Sequence, residues 1–215
     1  NRVWDEAVLD GPRHSRELDR AREIRPLIDT VDVLLDLHSM LWPSDPLVLS
    51  GATNKGRALA LGTGTPALVV ADHGHANGKR MIDYTRFADP ATPFAGNLVE
   101  AGQHWETATV ETTEASVAGL LNHLDVVAPG GPLAPDPSPK PQLVVEVTEA
   151  VTAATSTFAF VQAYRGGDVI RRRNTVIALD GETEVRTPYD DCLLVMPSLR
   201  PSRGHTAVRL ARFVR

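Results

Sequence analysis

Three short blocks combine residue types that could do chemistry together. Asp36-Leu37-His38-Ser39 closes the apolar run 31–37, and Val99-Glu100-Ala101-Gly102-Gln103 closes a second apolar run. Neutral imidazole is a good zinc ligand. Period-two alternation along a strand puts Asp36 on the same side as His38, where its carboxylate can orient the ring. A histidine at the carboxyl end of a strand in an open α/β sheet also stands where such sheets place their ligands. Glu100 at the end of an apolar strand is costly to desolvate unless it is paired or functional. Beside an activated water, such a carboxylate can take up a proton and return it to a leaving amine. The third block is Asn1-Arg2: a guanidinium fork matches a carboxylate in bidentate fashion, and an amide adds one donor. Taken singly, each block has an ordinary structural explanation. Their order along the chain carries the inference.

The elements that must position these blocks follow from periodicity. Leu18, Ala21, Ile24 and Leu27 or Ile28 recur at helical spacing, which predicts an amphipathic helix over 14–28, bent or ended by Pro26. Segments 31–37, 67–71 and 97–100 read as strands, the first of them buried on both faces. A second helix is expected over 107–124, and strands alternating with helices argue an α/β sandwich. Composition then shifts to Pro and Gly over 129–141, which reads as a stiff connector. Beyond it, short alternating runs at 142–147, 157–163, 175–179 and 192–196, separated by turn signals, indicate a small β domain. The expected organisation is an α/β domain over 1–128, a linker over 129–141 and a β domain over 142–215.

A net charge of -5 over 215 residues offers no footprint for nucleic acid or an anionic membrane. The short run Arg171-Arg172-Arg173 reads as a solvated or internally paired face. Cys192 is the sole cysteine, so neither an internal disulfide nor a cysteine zinc knuckle is expected, and a reducing cytoplasm is the simplest location. No apolar run approaches the roughly 20 residues that span a bilayer.

Asn1-Arg2, Asp36-Leu37-His38 and Val99-Glu100-Ala101-Gly102-Gln103, in that order, resemble the succinylglutamate desuccinylase/aspartoacylase family of zinc-dependent amidohydrolases, relatives of the zinc carboxypeptidases. The resemblance implies a zinc-carboxypeptidase-like mixed sheet between helices, followed by a small all-β domain. It implies that His38 is a zinc ligand, Glu100 the general base and Asn1 with Arg2 the substrate-carboxylate clamp. An arginine ahead of the catalytic Glu would polarise the scissile carbonyl, with Arg86 the nearer candidate and Arg80 the alternative. Tyr189 could reach the substrate from the β domain. In that family a His-x-x-Glu segment precedes the Asn-Arg pair and supplies two zinc ligands, which are expected from residues ahead of Asn1. His14-Ser15-Arg16-Glu17 has this spacing but follows the pair, and reads as a helix start with Ser15 as N-cap. Asp72, His73 and His75 fall where the family has a variable loop, which favours lining or loop-stabilising roles.

The expected function is therefore Zn2+-dependent hydrolysis of an amide, or alternatively an ester, in a small carboxylate-bearing molecule such as an N-acyl amino acid. The alternative is a metal-free, non-catalytic binding protein of the same fold. Neither nucleic acid nor a membrane is expected as a partner, and assembly into a homo-oligomer is left open.

Overall fold

The computed structural model describes residues 2–74, 78–127 and 141–214. Local chemistry sets the first elements. After a short helix α1 (Glu6–Leu9), Ser15 accepts the Leu18 amide at 3.1 Å and starts α2 (Arg16–Ile28), which buries Leu18, Ala21 and Ile28. Pro26 lies in the last turn of α2, where it withholds the N–H that would bond the Arg22 carbonyl, and the helix stops two residues later. Then follow β1 (Val33–Met40), β2 (Leu47–Leu49), α3 (Asn54–Thr63), β3 (Leu68–Ala71), a 3-10 turn η1 (Met81–Asp83), α4 (Thr85–Ala88), β4 (Ala95–Gln103) and α5 (Thr107–His123). The remainder is strand: β5 (Leu143–Thr152), β6 (Ala159–Phe160), β7 (Val169–Ile170), β8 (Val176–Asp180), β9 (Thr183–Arg186), β10 (Cys192–Val195) and β11 (Thr206–Phe213).

One eight-stranded mixed sheet, in the order β1-β4-β2-β3-β5-β11-β10-β7, organises the molecule, and β6-β8-β9 form a separate three-stranded sheet. Strands β1 and β4 run parallel, β4 meets β2 antiparallel, and β2, β3 and β5 are mutually parallel. Helices cover both faces of the β1 end. Leu34 packs with Leu18, Ala21 and Phe87 on one side, while Val33 and Leu35 pack with Leu59 and Leu120 of α3 and α5 on the other. This alternation is the period-two geometry of a strand between two helical layers. The fold is thus mixed α/β with a small β portion, as expected.

Two expectations need correction. β1 is only half-buried, because among the described residues it lies at the sheet edge with β4 as its one neighbour. The region after 141 is not separate from the large sheet either: only β6, β8 and β9 form a sheet of their own. β5 pairs in parallel with β3 from Leu68↔Leu143 onward, and β11, β10 and β7 extend the same sheet. Val145, Leu193 and Val195 share a core with Leu47, Leu49 and Val70, so burial joins the two halves of the chain. The expected connector over 129–141 lies outside the described residues apart from Pro141. Among the described residues no helix is long and apolar enough to cross a membrane.

Candidate active site

β1 and β4 end side by side, and their register sets His38 directly against Glu100. The notional alternation holds: His38 Nε2 donates to Asp36 Oδ1 at 3.0 Å. That hydrogen bond, outweighing partial burial, raises the His38 pKa above its ordinary value. Beyond His38 the register shifts, and beyond Glu100 the chain turns through Gly102 (φ 132). A Cβ on Gly102 would stand 2.7 Å from Thr109 Oγ1, the hydroxyl that donates to the Gln103 carbonyl and ties the end of β4 to the start of α5. Glycine is needed there by both conformation and space.

Glu100 is 7 % exposed, and its Oε2 has no hydrogen-bond partner. Desolvation pushes its pKa up to about 7, with Asp36 adding to the rise and His38, Arg209 and Arg80 opposing it. It stands in the floor of a cleft of about 330 Å³ that also takes in Arg2 and Arg209. The segment 39–44, from the end of β1 onward, forms one wall, and the segment 196–206, from just after β10 to the first residue of β11, forms the other. The chain just beyond the first wall is tied to the segment between β6 and β7: the Asp45 amide donates to the Gly166 carbonyl at 2.9 Å, and Arg165 pairs with Asp45 at 2.9 Å. Arg2 is held at the cleft by its neighbours, since the Trp4 amide donates to the Lys79 carbonyl at 3.1 Å and Trp4 is buried against Tyr84. Ser39, on the wall, shares a 2.7 Å hydrogen bond with His104 Nδ1.

The structure brings together Arg2, His38 and Glu100. It places two other predicted residues elsewhere. Arg86 donates from Nε to the Val31 carbonyl at 2.7 Å and lies 3.7 Å over the Phe94 ring, so its guanidinium is spent on holding α4 against the chain before β1. Tyr189 shares a 2.7 Å hydrogen bond with Thr148 and packs on the core around Ile177 and Leu194, outside the cleft lining. Of the two arginines proposed ahead of Glu100, Arg80 is the one whose charge reaches it. Its guanidinium, however, is saturated by carboxylates, taking both oxygens of Asp72 at 2.8 and 2.9 Å and both of Asp83 at 2.7 Å. It joins Asp72, just after β3, to Asp83 in η1. Asp72 is thereby a structural partner and His73 is exposed, while Asn1 and His75 lie outside the described residues. His14 is exposed beside Asp19, consistent with a helix start.

Arg209 was invisible to motif reading, although a signal existed: a lone arginine inside the apolar run Ala207-Val208-Arg209-Leu210-Ala211. Zinc needs about three protein ligands in a catalytic site. Among the described residues no group of three His, Cys, Asp or Glu side chains could hold a metal ion, so these residues alone do not fit zinc. His38 could contribute one ligand.

No protein-family model matches the chain. Comparison with curated proteins likewise found no match. Solved structures do share the fold. Succinylglutamate desuccinylase from Vibrio cholerae superposes with a TM-score of 0.73 at 16% identity, covering 100% of this chain and 64% of that one. The enzyme of the same name from Vibrio parahaemolyticus gives 0.71 at 18%, covering 100% and 65%. A succinylglutamate desuccinylase/aspartoacylase from Rhodobacter sphaeroides gives 0.66 at 13%, covering 95% and 66%. The chain therefore spans about two thirds of the length of these structures, and at such identities the likeness establishes the fold.

Proposed function

We propose that this chain is the larger part of a hydrolase that cleaves an amide bond in a small carboxylate-bearing molecule such as an N-acyl amino acid. The observation that carries the reading is Glu100: buried at the end of β4, with one oxygen unpartnered, and raised to about 7 in a cleft that also presents Arg2. A carboxylate poised near neutrality is suited to accept a proton from an attacking water and return it to the departing amine. Arg2 offers a fork for the substrate carboxylate. Asp36 fixes the His38 ring beside Glu100. The shared fold with structures named desuccinylases and aspartoacylases supports the same reaction class.

His38 would supply one zinc ligand, the others coming from outside the described residues. Elemental analysis of protein purified without chelator is expected to find about one zinc per full-length protein. Glu100→Gln is expected to lower the rate of N-acyl amino acid hydrolysis by about 100- to 10,000-fold, with retention of metal and fold. Wild-type turnover in that variant would remove Glu100 from the mechanism. Carboxylate binding without any turnover in the metal-replete wild type would instead make this a binding protein.

A further inference from the structure

Arg209 belongs to β11, paired with Val195 on one side and Ala150 on the other, and its neighbours Val208 and Leu210 are fully buried. It is itself only 7 % exposed, and that remaining exposure is to the cleft. A buried guanidinium is ordinarily matched by a carboxylate, because an uncompensated charge in the interior is strongly destabilising. Among the described residues no hydrogen bond or ion pair engages its side chain. The nearby acids Asp72 and Glu100 attract it through space, but neither engages it directly: Asp72 gives both oxygens to Arg80, and Glu100 is buried in the cleft lining. An apolar side chain would fill the same place in the sheet without the charge. Arg2, Arg200 and Arg209 all line this cleft against the single carboxylate of Glu100, on a chain whose net charge is -5. A cationic hollow on an acidic molecule selects anions.

We infer that Arg209 is a ligand-binding residue, its guanidinium receiving a carboxylate of the molecule that occupies the cleft, at a position separate from Arg2. The inference rests on the proposed use of this cleft as the substrate site. It gives the C-terminal strand a role in specificity: β11 supplies the counter-charge for one end of the ligand, while β4 supplies Glu100.

The test compares succinate with succinamate, its mono-amide, by calorimetric titration of the full-length protein, so that the readout is binding and not turnover. Wild type is expected to prefer succinate by at least tenfold, and Arg209→Met to lose that preference while keeping its fold by circular dichroism. A merely structural arginine would weaken both probes alike and leave the preference intact, which would overturn the inference, as would failure of the wild type to bind succinate. Should Arg209→Met not fold, Arg209→Lys keeps a charge but not the fork and is expected to show a reduced preference; an unchanged preference there would overturn it equally. Loss of preference in a protein that hydrolyses no N-acyl amino acid would sustain Arg209 and reject the hydrolase reading, so the two failures are distinct.

Discussion

At the scale of single residues, Glu100 concentrates the tension between stability and use. Its carboxyl ionises at about 7 in the folded chain against an ordinary value of 4.5, because burial penalises the charged form. A raised carboxylate pKa means that the folded state holds the proton more tightly than the unfolded state. Wild-type stability should therefore fall as pH climbs from about 4.5 to about 7, then level off, the accumulated cost being about 3 kcal/mol. Glu100→Gln removes this titration. In chelator-treated protein the thermal midpoint of the variant should exceed that of the wild type by a margin that is small near pH 4.5 and largest above pH 7. A margin independent of pH would contradict the burial-driven shift. Asp36 shifts His38 in the same direction, favouring its protonated form through a 3.0 Å hydrogen bond.

At the scale of elements, the segment joining β3 to η1 is held by one buried knot. Arg80, 4 % exposed, binds Asp72 at the end of β3 and Asp83 within η1. Removing the arginine leaves the buried Asp72 and the half-buried Asp83 without their cation, a loss that typically costs about 3 to 5 kcal/mol for a buried pair. Arg80→Met is expected to lower the urea midpoint by a corresponding amount, and a change below about 1 kcal/mol would show that solvent reaches the knot. The helices show how much local sequence can specify: Ser15 caps α2 where the periodicity begins, and α5 spans Thr107–His123 against an expectation of 107–124. The ten-residue α3 escaped notice because its apolar positions Leu59 and Ala60 are few and its two glycines obscure the pattern.

At the scale of the whole molecule, the single sheet makes a thermodynamic statement. With β3 paired to β5 and a core shared by Val70, Val145 and Val195, the two halves of the chain should unfold together. The chain carries natural reporters on each side of the expected linker. The tryptophans Trp4, Trp42 and Trp105 all precede it, and Cys192, fully buried with its thiol pushed up to about 11, follows it. Tryptophan fluorescence and Cys192 labelling by a thiol reagent should report the same denaturant midpoint. Two separate midpoints would mean that the sheet is a weaker link than its pairing indicates.

Sequence alone determined what depends on neighbours along the chain. It placed Asp36 and His38 on one strand side, Glu100 at a strand end, the cap at Ser15 and the helical phases of α2 and α5, because alternation, capping and periodicity are local. Only the tertiary structure decided what depends on distant segments meeting. It set His38 beside Glu100 across β1 and β4, gave Arg80 rather than Arg86 the electrical contact with Glu100, and carried Arg209 from the far end of the chain into the same cleft. It also joined β5 to β3 across a Pro-rich stretch that composition reads as a boundary. Strand pairing and burial answer to the whole sheet at once, and no window of sequence contains both partners.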